Sequence, residues 1–144
     1  MLLRNLMNFV IDTNIFLSAL IKDGLTREII INSPFNLFIP EQELIEIKKY
    51  EELIINKSYI NKEDLRDLIR KLLKYITILR NDNMAKYKCK AENIIGKIDN
   101  DDVPFVAAAL FLNCPIWSED KHFQKQKEIK IFTTNEILKI YNQI

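Results

Sequence analysis

Glycine occurs twice in the 144 residues, proline four times, cysteine twice and histidine once. So little glycine and proline excludes long flexible linkers and low-complexity tails. No Gly-rich phosphate loop, serine nucleophile elbow or Cys–His pair is present. Cys89 and Cys114 form no CxxC and stand near no histidine at ligand spacing, which argues against a zinc site. They read as buried or half-buried thiols of a reducing compartment. No apolar run approaches the roughly 20 residues needed to span a bilayer. The opening Met1-Leu2-Leu3-Arg4 lacks the apolar stretch of a signal peptide, so no membrane association and a cytoplasmic location are expected. A strong charge of either sign is also missing: 21 basic and 20 acidic residues leave a net charge of +1. Binding of a polyanion must then rest on local patches or bound cations.

What remains is 48% apolar and 28% charged residues, the composition of a globular protein. The length fits one domain over residues 1–144 with a core of its own. Asn8-Phe9-Val10-Ile11 reads as a buried strand stopping on Asp12-Thr13-Asn14. A helix over 15–21 follows, running up to Lys22-Asp23 with Gly24 as its terminator, and a second short helix opens at Thr26. Leu37-Phe38-Ile39 before Pro40 is the next strand, and residues 41–56 read as one helix. The spacing of Leu65, Leu68, Ile69, Leu72, Leu73 and Ile76 predicts an amphipathic helix over 62–76, with a switch to strand over 76–79. A weaker helix covers 84–96. Pro104 fits only a first helical turn and starts a helix over 103–112 at Asp101 or Asp102. Strands over 115–118 and 129–133 and a helix over 135–141 complete the chain. Strands alternate with helices and no hairpin signal joins any two, which predicts an α/β fold: a three-layer α/β/α sandwich with a central parallel sheet.

In such a sheet ligands bind beyond the carboxyl ends of the strands. Asp12 and Asp120 each follow a strand directly. Each alone is more readily a helix cap or turn residue, but Asp12-Thr13-Asn14 sits directly on a buried strand. Asp102 stands at a helix start, where the dipole favours a carboxylate, but Asp99, Asp101 and Asp102 together exceed what one cap requires. Like charges at ~4 Å with an effective dielectric of ~20 repel by about 4 kcal/mol per pair, so convergence with Asp12 and Asp120 calls for a cation. Glu46 falls, on a continuous helix, on the apolar face with Tyr50 and Leu53, where an unpaired glutamate is costly. Glu43 starts a similar row with Ile47 and Tyr50. Oxygen donors without cysteine or histidine suit a hard cation, Mg²⁺ or Mn²⁺. Phosphodiester hydrolysis is the chemistry such a site serves.

Four segments resemble the PIN-domain ribonuclease family: Val10-Ile11-Asp12-Thr13-Asn14, Pro40 to Ile47, Asp99 to Leu110, and Pro115 to Lys121. The resemblance implies a metal-dependent endoribonuclease, with Asp12, Glu46, Asp102 and Asp120 as catalytic and Mg²⁺- or Mn²⁺-holding residues. Asn14 and Ser118 match supporting positions, and Glu43 and Asp101 stay open as replacements for Glu46 and Asp102. It further implies an RNA substrate, a homodimer and, since many members are VapC-type toxins, an antitoxin protein partner. The segment 57–98 is longer than in many short toxins. His122 reads as a surface residue, and the basic run Lys121 to Lys130 as a solvated face. Two alternatives are a PIN-like scaffold without activity and a receiver-like signalling domain binding a protein partner. The receiver expects an acid pair after the first strand and a lysine after the fifth, where this chain has Asp12 alone and Thr133-Thr134.

Overall fold

The computed structural model describes residues 7–21, 24–58 and 61–144, without the side chains of residues 52, 54, 57 and 58. The opening Met1–Arg4 and the helix end at Lys22–Asp23 lie outside the described residues, as do the side chains of Glu52 and Ile54.

Strands β1 (Asn8–Ile11), β2 (Asn36–Pro40), β3 (Ile76–Leu79), β4 (Ile116–Trp117) and β5 (Ile131–Phe132) form one sheet in the order β3-β2-β1-β4-β5. Every neighbouring pair is parallel. The helices are α1 (Thr13–Ile21), α2 (Gly24–Asn32), α3 (Glu41–Lys49), α4 (Glu51–Ser58), α5 (Lys62–Leu73), α6 (Val103–Leu112) and α7 (Thr134–Asn142). Side chains alternate across each strand. Phe9, Ile11, Leu37, Ile39 and Trp117 join one core with α1, α2, α5 and α7. Val10, Phe38 and Ile116 join the other with α6 and the helical run over 81–96. Helices therefore cover both faces, and the architecture is the α/β/α sandwich expected. Phe9 anchors the first core, its ring edge-on to Phe35 and Phe132 at 5.3 and 5.5 Å.

From β1 the chain builds outward through β2 to β3, then returns to the other side of β1 for β4 and β5. The order reverses between β1 and β4, and the crevice at that reversal is where open α/β sheets bind ligands. A receiver-like sheet runs 2-1-3-4-5; the present order removes that alternative.

Several boundaries differ from the sequence reading. Gly24 opens α2 instead of closing α1. The carbonyls near the end of α1 are met by Arg27, whose Nε donates to the Ala19 oxygen at 2.8 Å. Residues 41–56 form two helices broken at Tyr50, with φ −93° and ψ 6°. No glycine or proline marks the break. α3 packs on α1 and the end of β2, and α4 packs on α1 and α5. The helix over 62–76 ends at Leu73, and Ile76 already belongs to β3. Residues 81–96 run through α-helical, 3₁₀ and π turns (Asn81–Met84, Ala85–Tyr87, Lys88–Ala91, Glu92–Gly96) instead of one helix over 84–96. Cys89 is exposed and Cys114 half-buried. In the basic run, Lys121–Lys125 forms a 3₁₀ turn that buries Phe123, so only part of that run faces solvent.

α7 starts with a capping box: the Thr133 side chain accepts from the Glu136 N–H, and Glu136 reaches back to the Thr133 N–H. Thr133→Ala is expected to cost about 1 kcal/mol, read as a lower denaturant midpoint with unchanged slope in urea unfolding. An unchanged midpoint would show that the cap contributes nothing.

Candidate active site

The register of β1 with β4 pairs Ile11 with Trp117, which brings the next residues, Asp12 and Ser118, side by side at the strand ends. Ser118 is fully buried and Asp12 only 4% exposed. The Ser118 hydroxyl donates to Asp12 Oδ2, and its oxygen accepts the Asp120 N–H at 2.9 Å. Asp12 Oδ1 accepts the Ile15 N–H at 2.8 Å, in the first turn of α1. Asp12 thus caps a helix and also lines the cavity at the strand ends. Each carboxylate oxygen carries two lone pairs, so one on each stays free after these bonds.

Asp102 stands at the head of α6 and its side chain makes no capping bond. It is 7% exposed, and among the described residues its Oδ2 has no hydrogen-bond partner. A buried carboxylate oxygen left unpaired costs free energy unless something else meets it. Local capping falls instead to Asp99, which accepts the Asp101 N–H at 3.0 Å, and to Asp120, whose Oδ1 accepts the His122 N–H at 2.9 Å. The other Asp99 oxygen pairs with His122 Nδ1 at 2.9 Å. Asp99, Asp102, Asp120 and His122 each bring one ligand atom within 4.8 Å of the others.

The opposite wall comes from α3. Glu43 is buried, and its Oε2 accepts from Thr13 Oγ1 at 2.9 Å. Glu46, one turn on, has a side chain 41% exposed and pairs with Lys49 at 3.3 Å. Tyr50 and Leu53 are exposed. The packed face expected through Glu46, Tyr50 and Leu53 does not exist, because the helix breaks at Tyr50; the buried row is Glu43 and Ile47. Both glutamates nevertheless line the same cavity of about 820 Å³ as Asp12, Asn14, Asp101, Asp102 and Asp120. Asn14 is exposed at its mouth, while Asp101 is exposed and Asp102 buried. Leu17, Ile45, Tyr50 and Leu53 give the cavity an apolar rim.

All four acids expected from the sequence, Asp12, Glu46, Asp102 and Asp120, therefore reach one cavity, with Ser118 beneath two of them. Sequence reasoning left Glu43 as an alternative and read His122 as a surface residue. The signal for Glu43 was its i+4 spacing to Ile47, and for His122 its place two residues after Asp120.

Burial, opposed by the bonds from Ser118 and Ile15, pushes the Asp12 carboxyl up to about 6, and the charges of Asp120 and Glu119 add to the rise. Burial together with the charges of Asp99, Asp120 and Asp12 pushes Asp102 up to about 7, against a smaller opposing effect of His122. Glu43 is also raised, by burial first, with Thr13 opposing and Glu46 and Asp101 adding. Carboxylates arranged to repel one another in a cleft make it a candidate functional site. The unpartnered Asp102 oxygen and the oxygen-rich donor set fit a divalent cation held among them.

The sequence matches the family model described as PIN domain over residues 10–140. No curated protein matches it. Among solved structures, it is similar to a chain of VapBC2 from Rickettsia felis bound to a DNA fragment from their promoter. The TM-score is 0.67 at 17% identity, over 88% of this chain and 98% of that one. At that identity the likeness is one of fold, and it places the same sandwich in both. From the family match across nearly its whole length, the chain belongs to the PIN domain family.

Proposed function

We propose that this protein is a Mg²⁺- or Mn²⁺-dependent endoribonuclease that hydrolyses RNA phosphodiester bonds. The observation that carries this reading is the buried, unpartnered Asp102 oxygen in a cavity shared with Asp12, Asp120, Glu43 and Glu46. A divalent cation, when bound, polarises a phosphoryl oxygen and eases loss of a proton from water. Asp12, Asp102 and Asp120 hold that ion. Ser118 fixes the Asp12 carboxylate and the turn carrying Asp120. Glu46 completes the ligand set or orients the attacking water. Glu43, held at Oε2 by Thr13, has Oε1 to accept that water's proton, a role its raised pKa suits.

The fluorescence of a labelled single-stranded RNA, followed with Mn²⁺ and then with EDTA, tests the reading. Cleavage that stops with EDTA is expected. A silent protein that still binds Mn²⁺ would favour the inactive scaffold. Ser118→Ala is expected to weaken Mn²⁺ binding about 10- to 100-fold, as loss of a partner behind a metal ligand does, measured by calorimetry. An unchanged affinity would separate Ser118 from the site.

The likeness to VapBC2 supports a toxin role with an antitoxin protein as partner, and a homodimer is proposed as the working form from the family resemblance alone. A short adjacent gene for a DNA-binding antitoxin would support the toxin role, and its absence would favour RNA processing. Light scattering tests the dimer by its mass against the 17.1 kDa chain. Among the described residues no helix is long and apolar enough to cross a membrane.

A further inference from the structure

Behind the acids that face the cavity lies a second group of donors. Asp99 and His122 do not line the cavity, yet one atom from each lies within 4.8 Å of a carboxylate oxygen of Asp102 and of Asp120. We propose that Asp99, Asp102, Asp120 and His122 form a mixed nitrogen–oxygen cation site that selects Mn²⁺ over Mg²⁺. The inference shares Asp102 and Asp120 with the nuclease reading and rests on it for the presence of a divalent cation.

Three observations converge here. Asp102 is more than nine-tenths buried, with Oδ2 unpartnered among the described residues. His122 Nδ1, not Nε2, is turned into the cluster, 2.9 Å from Asp99 Oδ2 and 3.7 Å from Asp120 Oδ1. The 3₁₀ turn at Lys121–Lys125, capped by Asp120 itself, holds the ring there and is anchored by the buried Phe123. Without a cation, Nδ1 carries the proton of its 2.9 Å bond to Asp99 Oδ2; with the proton on Nε2 instead, neutral imidazole presents a lone pair at Nδ1. A cation replacing the Nδ1 proton would then meet one nitrogen and three carboxylates. Mg²⁺ is held by oxygen alone, whereas Mn²⁺, although it favours carboxylates and is the weakest binder of the first-row series, accepts one imidazole nitrogen among them.

His122 is the single histidine of the chain, which makes the test unambiguous in untagged protein. Pulsed electron paramagnetic resonance of bound Mn²⁺ should show coupling to one imidazole ¹⁴N, lost in His122→Ala. Calorimetry with each metal alone should give Mn²⁺ binding about tenfold or more tighter than Mg²⁺, a gap that collapses in His122→Ala. Asp99→Asn, a second variant, should weaken Mn²⁺ binding while keeping the nitrogen coupling. Bound Mn²⁺ without nitrogen coupling in wild type, or the same Mn²⁺/Mg²⁺ ratio in His122→Ala, would overturn the proposal. Nitrogen coupling in a protein that cleaves no RNA would sustain this site and sink the nuclease reading.

Discussion

Asp12→Asn is expected to lower Mn²⁺-dependent RNA cleavage at least about 100-fold, since losing a ligand should exceed the 10- to 100-fold cost of losing a group behind one. Asparagine keeps the shape and, through Oδ1, the Ile15 contact, but turns an amide N–H toward the Ser118 oxygen in place of an acceptor and removes the charge that holds a hard cation. Asp102→Asn and Asp120→Asn should be similarly severe. Because the ligands act as a unit, Asp12→Asn combined with Asp102→Asn should be little worse than either alone. Glu63→Gln, exposed on α5 and far from these donors in sequence, is the control and should leave the rate intact. Equal cleavage by wild type and Asp12→Asn, at fixed Mn²⁺ and salt, would place the activity elsewhere.

The second large effect runs the opposite way, on stability. Without a cation, Asp12 and Asp102 titrate near 6 and 7 in the fold, against 3.8 in the unfolded chain. Between those values the native state keeps protons that the unfolded chain has shed. The stability these groups contribute is therefore full below about pH 4 and is lost as pH rises through 6 to 7. Metal-free protein should melt higher at pH 5 than at pH 7.5 through these groups. Asp102→Asn buries no charge and should flatten that slope. Allowing for solvent on the open side of the cavity, it should gain at least about 1 kcal/mol at pH 7.5, or roughly 3 °C in Tm. Mn²⁺ should raise the Tm of wild type at pH 7.5 and leave that of Asp102→Asn almost unmoved. A variant that melts below metal-free wild type at pH 7.5 would show that Asp102 serves the fold and not a ligand.

The parts of this molecule legible in its sequence are those fixed by short-range rules. Val10-Ile11 ahead of Asp12 had to be a strand end, and Pro104 had to sit in a first turn; α6 begins one residue earlier, at Val103. The parallel sheet followed from strands with no hairpin between them. The α3–α4 break was not legible, because no glycine or proline at Tyr50 signals it. Extending one helical wheel across it put Glu46 on a buried face that belongs to Glu43. Convergence of the acids was legible only as far as strand ends share one edge of a sheet. That Asp102 leaves capping to its neighbours, and that His122 turns Nδ1 toward Asp99, depends on side-chain orientation that spacing does not carry.

The proposed hydrolysis requires a divalent cation in the acidic crevice between β1 and β4. A crystal grown with Mn²⁺, with diffraction recorded at the manganese absorption edge, tests that directly. An anomalous peak is expected within bonding distance of carboxylate oxygens of Asp102 and Asp120, shared with Asp12 on the cavity side. A fully loaded crystal with no peak there, or with manganese only at residues outside this cluster, would contradict it.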